Sequence, residues 1–168
     1  LLVAIYVDLN PFRAGEADSP VSSRFASVYQ RLQSQGMRKN ASKRPDSWLG
    51  ELTLAPESKA DEVLASSSRT GRRASDLGIL PISLEDYVRL LKWTARQLKS
   101  GQRHTIPADL AAVLDHFHVQ QDKWLATVET YETAFGHAVE RAESLVAVAE
   151  RMDLQHLKGI TACRTAFT

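Results

Sequence analysis

Tyr6 and Asn10 are four residues apart near the start of this 168-residue chain, and their side chains could take part in chemistry. In a helix, a spacing of four residues separates side chains by about 40° around the axis, so the two share a face. Asp8 lies about 200° from Tyr6 and faces elsewhere. A tyrosine hydroxyl beside a short polar side chain fits a nucleophile next to a metal ligand or an orienting group.

The same pair also has a purely structural interpretation. Tyr6 would be a core residue whose hydroxyl finds a partner, and Asn10 would cap the helix end before Pro11. Because the residue before a proline is pushed out of the α region, we expect the opening helix, residues 1–9, to end at Asn10-Pro11. A buried strand also fits so short an apolar run. Both interpretations of Tyr6 remain open on residue chemistry.

Composition limits the class of protein. The length and the 43% hydrophobic content suit one ordinary domain or two very small ones with a buried core. A net charge of +1 favours no particular partner. The single cysteine, Cys163, excludes an internal disulfide framework and fits a reducing cytosol. The apolar opening has neither the length of a membrane span nor the basic region of a signal peptide. Since Leu1 is not a methionine and starts an apolar run, we expect a segment upstream.

The chain divides into three predicted parts. Residues 1–32 hold the opening helix, a loop and a second helix around Phe25 and Leu32. Residues 33–80 are rich in serine and basic residues and lack a sustained apolar period, which is typical of a flexible linker. The linker holds two basic groups that could contact DNA phosphates. The two groups are Arg38, Lys39, Lys43 and Arg44, and then Arg69, Arg72 and Arg73.

Residues 81–168 carry helical apolar spacing and predict a compact helical bundle. Ser83 to Asp86 has the spacing of a capping box, and Gly101 ends the helix that follows. Pro107 suits the first turn of a second helix. Asp122 is expected to cap a third helix that runs to Val139. Its apolar stripe continues to Ala149, and Gly136 is the point where the helix could be interrupted. A last short helix is predicted around Leu157 and Ile160.

Four segments of the chain resemble one known family. Residues 6–15, Tyr-Val-Asp-Leu-Asn-Pro-Phe-Arg-Ala-Gly, closely resemble the Tyr-x-x-x-Asn-Pro-[Val/Ile]-[Arg/Lys]-Ala-Gly signature of REP-associated tyrosine transposases, which are relatives of the HUH-type single-strand DNA transposases. Residues 83–96 resemble a Ser-Leu-x-Asp-Tyr…Trp-Thr-x-Arg segment in the carboxy-terminal extension of the longer, planctomycete-like members. Residues 141–145 and 159–164 resemble two further segments of that extension. The resemblance reaches both ends of the chain and leaves residues 33–80 unmatched.

The resemblance implies a function for the opening residues. Tyr6 matches the catalytic nucleophile, which attacks a DNA phosphodiester and forms a covalent 5′-phosphotyrosine. Asn10 matches a polar residue that completes a site for Mg²⁺ or Mn²⁺, and Arg13 matches a basic position suited to a phosphate contact or an ion pair. The resemblance also implies single-stranded or hairpin DNA as partner, a homodimer for the complete protein, and a location with the bacterial nucleoid in the cytoplasm, with no membrane association.

The family holds its metal with a His-hydrophobe-His pair that precedes the tyrosine. Only five residues precede Tyr6, too few to hold this pair, so we expect the chain to be an inactive carboxy-terminal portion. His116-Phe117-His118 spells the pair, but it ends a predicted helix, where residues two apart diverge by about 200°. We therefore expect a mainly α chain: a remnant helix of an α+β HUH nuclease domain, a flexible linker and a helical bundle. The alternative is a helical DNA-binding or protein-interaction module without catalysis.

Overall fold

The computed structural model describes residues 1–35, 52–53, 78–101, 103–135, 142–151 and 158–167. In these ranges the chain is mainly helical, which confirms the predicted class. The helices are α1 (Leu2–Arg13), α2 (Ser27–Ser34), α3 (Leu84–Ser100), α4 (Ala108–His116), α5 (Trp124–Glu129), α6 (Tyr131–Ala134), α7 (Ala142–Arg151) and α8 (Ile160–Ala166).

Helix α1 runs past the predicted end at Asn10-Pro11 and includes Pro11. Proline removes only one backbone donor, so the turn beyond it can still form. The N–H of Glu16 donates to the carbonyl of Pro11 at 2.8 Å, and Gly15, with φ +74°, leads the chain out of the helix. The predicted boundary was therefore wrong by one turn.

Helix α3 begins as the capping box predicts. The N–H of Asp86 donates to the Ser83 hydroxyl oxygen at 3.0 Å, which satisfies one of the free donors of the first turn. The Ser83 hydroxyl in turn donates to the Asp86 carboxylate at 2.7 Å. At the other end, Gly101 adopts φ +65° and its N–H donates to the carbonyl of Gln97, as expected of a glycine that ends a helix.

The predicted third helix is broken ahead of Gly136, the interruption point that the sequence offered, which lies outside the described residues. Helix α5 ends at Glu129, Thr130 takes φ −93° and ψ 6°, and α6 lasts only four residues before Phe135 becomes extended. The Thr130 hydroxyl donates to the carbonyl of Ala126 at 2.8 Å, and the Thr130 backbone N–H donates to the same carbonyl at 3.0 Å. Such back-bonding by a threonine hydroxyl often bends a helix. The expected cap at Asp122 is also wrong, because Lys123 occupies the N-cap position without a side-chain cap bond.

The remaining boundaries agree in part with the sequence. Pro107 was predicted to lie in the first turn of α4. It is instead the N-cap residue, so the helix begins one residue later, at Ala108. Phe25 lies outside α2 and is 89% exposed. The last helix follows Gly159, which has φ +104°, whereas Leu157 lies outside the described residues.

Two compact units divide the chain. The first comprises Leu1–Asn10 and Trp93–Thr168, and the second comprises Pro11–Lys92. These units divide the chain at other places than residues 32 and 80, so the three-part division remains a prediction. Within the second unit, the N–H of Leu80 donates to the carbonyl of Leu52, and the Thr53 hydroxyl donates to the carbonyl of Ile82. In the described ranges, every helix is too short or too polar to span a membrane.

Candidate active site at Tyr6

Helix α1 positions the candidate nucleophile. Its buried side includes Leu2, Ile5, Tyr6 and Leu9, while Val3 and Val7 are 44% and 55% exposed. Tyr6 lies about 40° from Asn10 around this helix, at the edge of the buried side. The sequence therefore placed the two residues on one face correctly, since α1 is continuous across both.

The Tyr6 side chain is only 6% exposed and packs against other aromatic rings of its own unit. Its ring stacks on that of Tyr131, with 4.2 Å between centroids and 30° between planes. Tyr131 stacks in turn on Phe135 at 5.6 Å. Offset stacking of this kind stabilises aromatic pairs beyond the burial of their area. The three rings form a column, which we call the aromatic column, with Tyr6 at one end.

Asn10 and Arg13 are exposed, unlike Tyr6. Asp8 is 2% exposed on another side of α1, so it does not join Tyr6 and Asn10. A Mg²⁺ or Mn²⁺ ion takes several oxygen or nitrogen ligands, and Asn10 offers one amide oxygen. Among the described residues, His, Cys, Asp and Glu nowhere gather in a group of three that would hold a metal. The described residues therefore do not fit the implied ion by themselves.

The His116-Phe117-His118 pair lies at the end of α4, as the sequence predicted. His116 is the last helical residue, Phe117 takes φ −90°, and His118 takes φ +55°. The two imidazoles are thus carried by different backbone conformations, without the regular alternation of a strand. The His116 ring packs edge-on against Phe117 at 5.4 Å. This arrangement does not resemble a metal-binding pair.

The bundle segments that resemble the family contribute to the core. In the first unit, the indole N–H of Trp124 donates to the Thr94 hydroxyl oxygen at 2.9 Å, and both residues have no exposed area. Cys163 is also fully buried. These residues therefore stabilise the helices rather than line an open site.

Sequence reasoning missed Tyr131 as the neighbour of Tyr6. The apolar spacing of the predicted third helix indicated that Tyr131 packs in the core. Its stacking partner, Tyr6, lies more than a hundred positions earlier in the chain. Such a pairing leaves no periodic signal. The predicted DNA-contacting residues of the linker lie outside the described residues. They are Arg38, Lys39, Lys43, Arg44, Arg69, Arg72 and Arg73.

Comparison with known proteins identifies no family. No family model matches the chain, and neither a curated protein nor a solved structure matches it. The resemblance to tyrosine transposases therefore stays a prediction that rests on residues 6–15 and the three downstream segments.

Proposed function

We propose that this chain is the nucleophile-bearing, carboxy-terminal portion of a REP-associated tyrosine transposase. The observation that carries the proposal is the continuous helix α1, which sets Tyr6 and Asn10 one turn apart and continues to Arg13. This is the local geometry that the resemblance implies for a nucleophile, a polar residue beside the metal and a basic residue. Its substrate is single-stranded or hairpin DNA of the bacterial nucleoid, and the complete protein acts as a homodimer.

The proposed reaction is a transesterification. The Tyr6 oxygen loses its proton and attacks the phosphorus of a phosphodiester, forming a new tyrosine–phosphate bond. The bond from phosphorus to the 3′ oxygen breaks, and that oxygen leaves as a hydroxyl after taking up a proton. The energy of the broken ester is retained in the phosphotyrosine, so a second strand can be joined later by the reverse attack.

Tyr6 needs help to carry out this step. The pKa of a free tyrosine is about 10, so its hydroxyl is a weak nucleophile at neutral pH. The family places its metal-binding histidine pair before the tyrosine. We propose that those histidines come from a segment outside this chain, with Asn10 completing the ligand set, and that the chain alone has no strand-cleaving activity.

A covalent-adduct assay tests the proposal. The chain alone, incubated with a single-stranded hairpin and Mg²⁺ or Mn²⁺, should give no protein–DNA adduct on a denaturing gel. Addition of a family catalytic segment that carries the histidine pair, fused or separate, should give one. Tyr6→Phe should abolish the adduct because it deletes only the attacking oxygen. Asn10→Ala should reduce it less, since the histidines still hold the metal.

The matched control is Tyr29→Phe, which removes a hydroxyl from a tyrosine outside the motif and should leave the adduct unchanged. An adduct that survives Tyr6→Phe would refute the assignment of the nucleophile. An adduct formed by the chain alone would refute the proposed dependence on a second segment.

The second candidate function is a helical binding module without catalysis. The burial of Tyr6 in the aromatic column favours it, because a core tyrosine needs no reactive role. If this module binds DNA through the basic linker groups, its affinity for single-stranded DNA should fall steeply with added salt, since binding releases counterions. Replacing Arg38, Lys39, Lys43 and Arg44 by glutamine should weaken binding equally for all DNA sequences. Binding that does not change with salt would refute this phosphate-contact mechanism.

A further inference from the structure

We infer that helix α6 is a lid over Tyr6, and that it must swing away about Thr130 before the Tyr6 hydroxyl meets a substrate. This inference rests on the proposed function, because it concerns access to the proposed nucleophile. It adds a regulatory step that the motif around Tyr6 does not contain. The lid is residues Tyr131–Ala134, and its covering side chain is Tyr131.

The need for movement follows from the burial of Tyr6. A nucleophile must approach the phosphorus within about 3–3.5 Å, so the oxygen and the space in front of it must be open to a phosphodiester. Tyr6 is 6% exposed, and the Tyr131 ring stacks on its ring with 4.2 Å between centroids and 30° between planes. The arrangement therefore holds Tyr6 in a covered state.

Helix α6 is the element of this unit that is suited to move. It has four residues, none of which is buried. It is separated from α5 by the non-helical geometry of Thr130, and after Ala134 the chain becomes extended at Phe135. Segments with few buried contacts and short hydrogen-bond ladders open at low free-energy cost.

The flanks of the lid are anchored, so its opening can be local. Val128 before it has no exposed area, and Phe135 after it is 4% exposed. Opening would separate Tyr131 from Tyr6 and from Phe135, while the core side chains of α5 stay in place. Thr130 is the natural hinge, because its φ of −93° and ψ of 6° depart from helical geometry at the junction of α5 and α6.

Nitration with tetranitromethane, located by peptide mass spectrometry, measures access to each tyrosine without DNA. The chain supplies its own references: Tyr87 is 1% exposed, whereas Tyr29 is half-buried. Loss of an aromatic stack should raise the equilibrium constant for opening of the lid by about 2- to 10-fold. Tyr131→Ala should therefore raise the nitration rate of Tyr6 by that factor and leave that of Tyr87 unchanged. Tyr131→Phe, which keeps the stacked ring, should behave like the native chain.

Hydrogen exchange of the native chain provides a second test that needs no substitution. The N–H groups of Ala134 and Phe135 donate to the carbonyls of Thr130 and Tyr131 and so join the lid to its two flanks. By contrast, the N–H of Thr127 donates to the carbonyl of Lys123 in the first turn of α5. A lid that opens locally should exchange the first two at least several-fold faster than the third. Equal exchange of all three, or an unchanged Tyr6 nitration rate in Tyr131→Ala, would overturn the inference.

The outcomes separate the lid from the proposed function. Faster nitration of Tyr6 in Tyr131→Ala supports the lid whether or not DNA is cleaved. In the assay with the added catalytic segment, the same variant should form the adduct faster by a similar factor. A slower adduct in Tyr131→Ala would overturn the lid, because it would mean that the stack helps the reaction.

Discussion

The buried hydrogen bond between Trp124 and Thr94 offers the clearest prediction of stability. The indole N–H of Trp124 donates to the Thr94 hydroxyl oxygen at 2.9 Å, and neither residue has exposed area. Thr94→Val keeps the shape of the side chain and replaces the hydroxyl by a methyl group. The indole N–H would then lie in the core without an acceptor and out of reach of water.

The expected cost follows from that unsatisfied donor. A buried polar group that loses its partner destabilises a protein by about 1–3 kcal/mol. For a chain of this length, each kcal/mol lowers Tm by about 2–4 °C. Urea unfolding followed by circular dichroism at 222 nm should show the loss as a lower midpoint with an unchanged m-value, since the surface exposed on unfolding stays the same.

Thr94→Ser is the matched control for this prediction. It keeps the hydroxyl and removes one methyl group, so its cost should be about 0.5–1.5 kcal/mol, as for other single methyl deletions in cores. Combining Thr94→Val with Trp124→Phe should cost less than the sum of the two single changes, because the donor and the acceptor are then both removed. A Thr94→Val chain as stable as the native one, or strictly additive effects, would refute the reasoning.

Other predictions concern single positions and the same unfolding measurement. Ser83→Ala should cost about 1 kcal/mol by removing the acceptor for the Asp86 N–H, whereas Ser83→Thr, which keeps it, should cost less. Gly101→Ala should cost about 1 kcal/mol through its left-handed φ alone, because a Cβ there meets no atom within 4 Å. Phe25→Ser should change stability by less than about 0.5 kcal/mol, because the ring is 89% exposed. By contrast, Leu90→Ala, at a fully buried position, should cost about 2–5 kcal/mol.

Local signals in the sequence predicted several helix ends well. The Ser83 cap and the Gly101 stop depend on residues within one turn of the boundary, and both appear where they were expected. The position of His116-Phe117-His118 at a helix end was also correct. These features follow from hydrogen bonds and backbone angles that neighbouring residues decide.

Boundaries that depend on a competition between local interactions were predicted less well. Pro11 was expected to end α1, but the turn after it retains its hydrogen bonds. Thr130 lies inside the predicted apolar stripe, six residues before Gly136, where an interruption was left open. Its hydroxyl nevertheless donates to the Ala126 carbonyl at the break between α5 and α6. Hydrophobic periodicity shows which positions are apolar. It does not show whether a helix that continues or a helix that breaks at a given residue is lower in free energy.

The sequence by itself determined the helical class, the caps of α3 and the shared face of Tyr6 and Asn10, because each follows from spacing within a few turns. Only the tertiary structure decided that Tyr6 is covered and that its neighbour is Tyr131. Stacking brings together rings from distant parts of the chain, and it depends on how α1 packs within its unit. The chemistry available at residue 6 is therefore encoded locally, whereas access to it is set by packing.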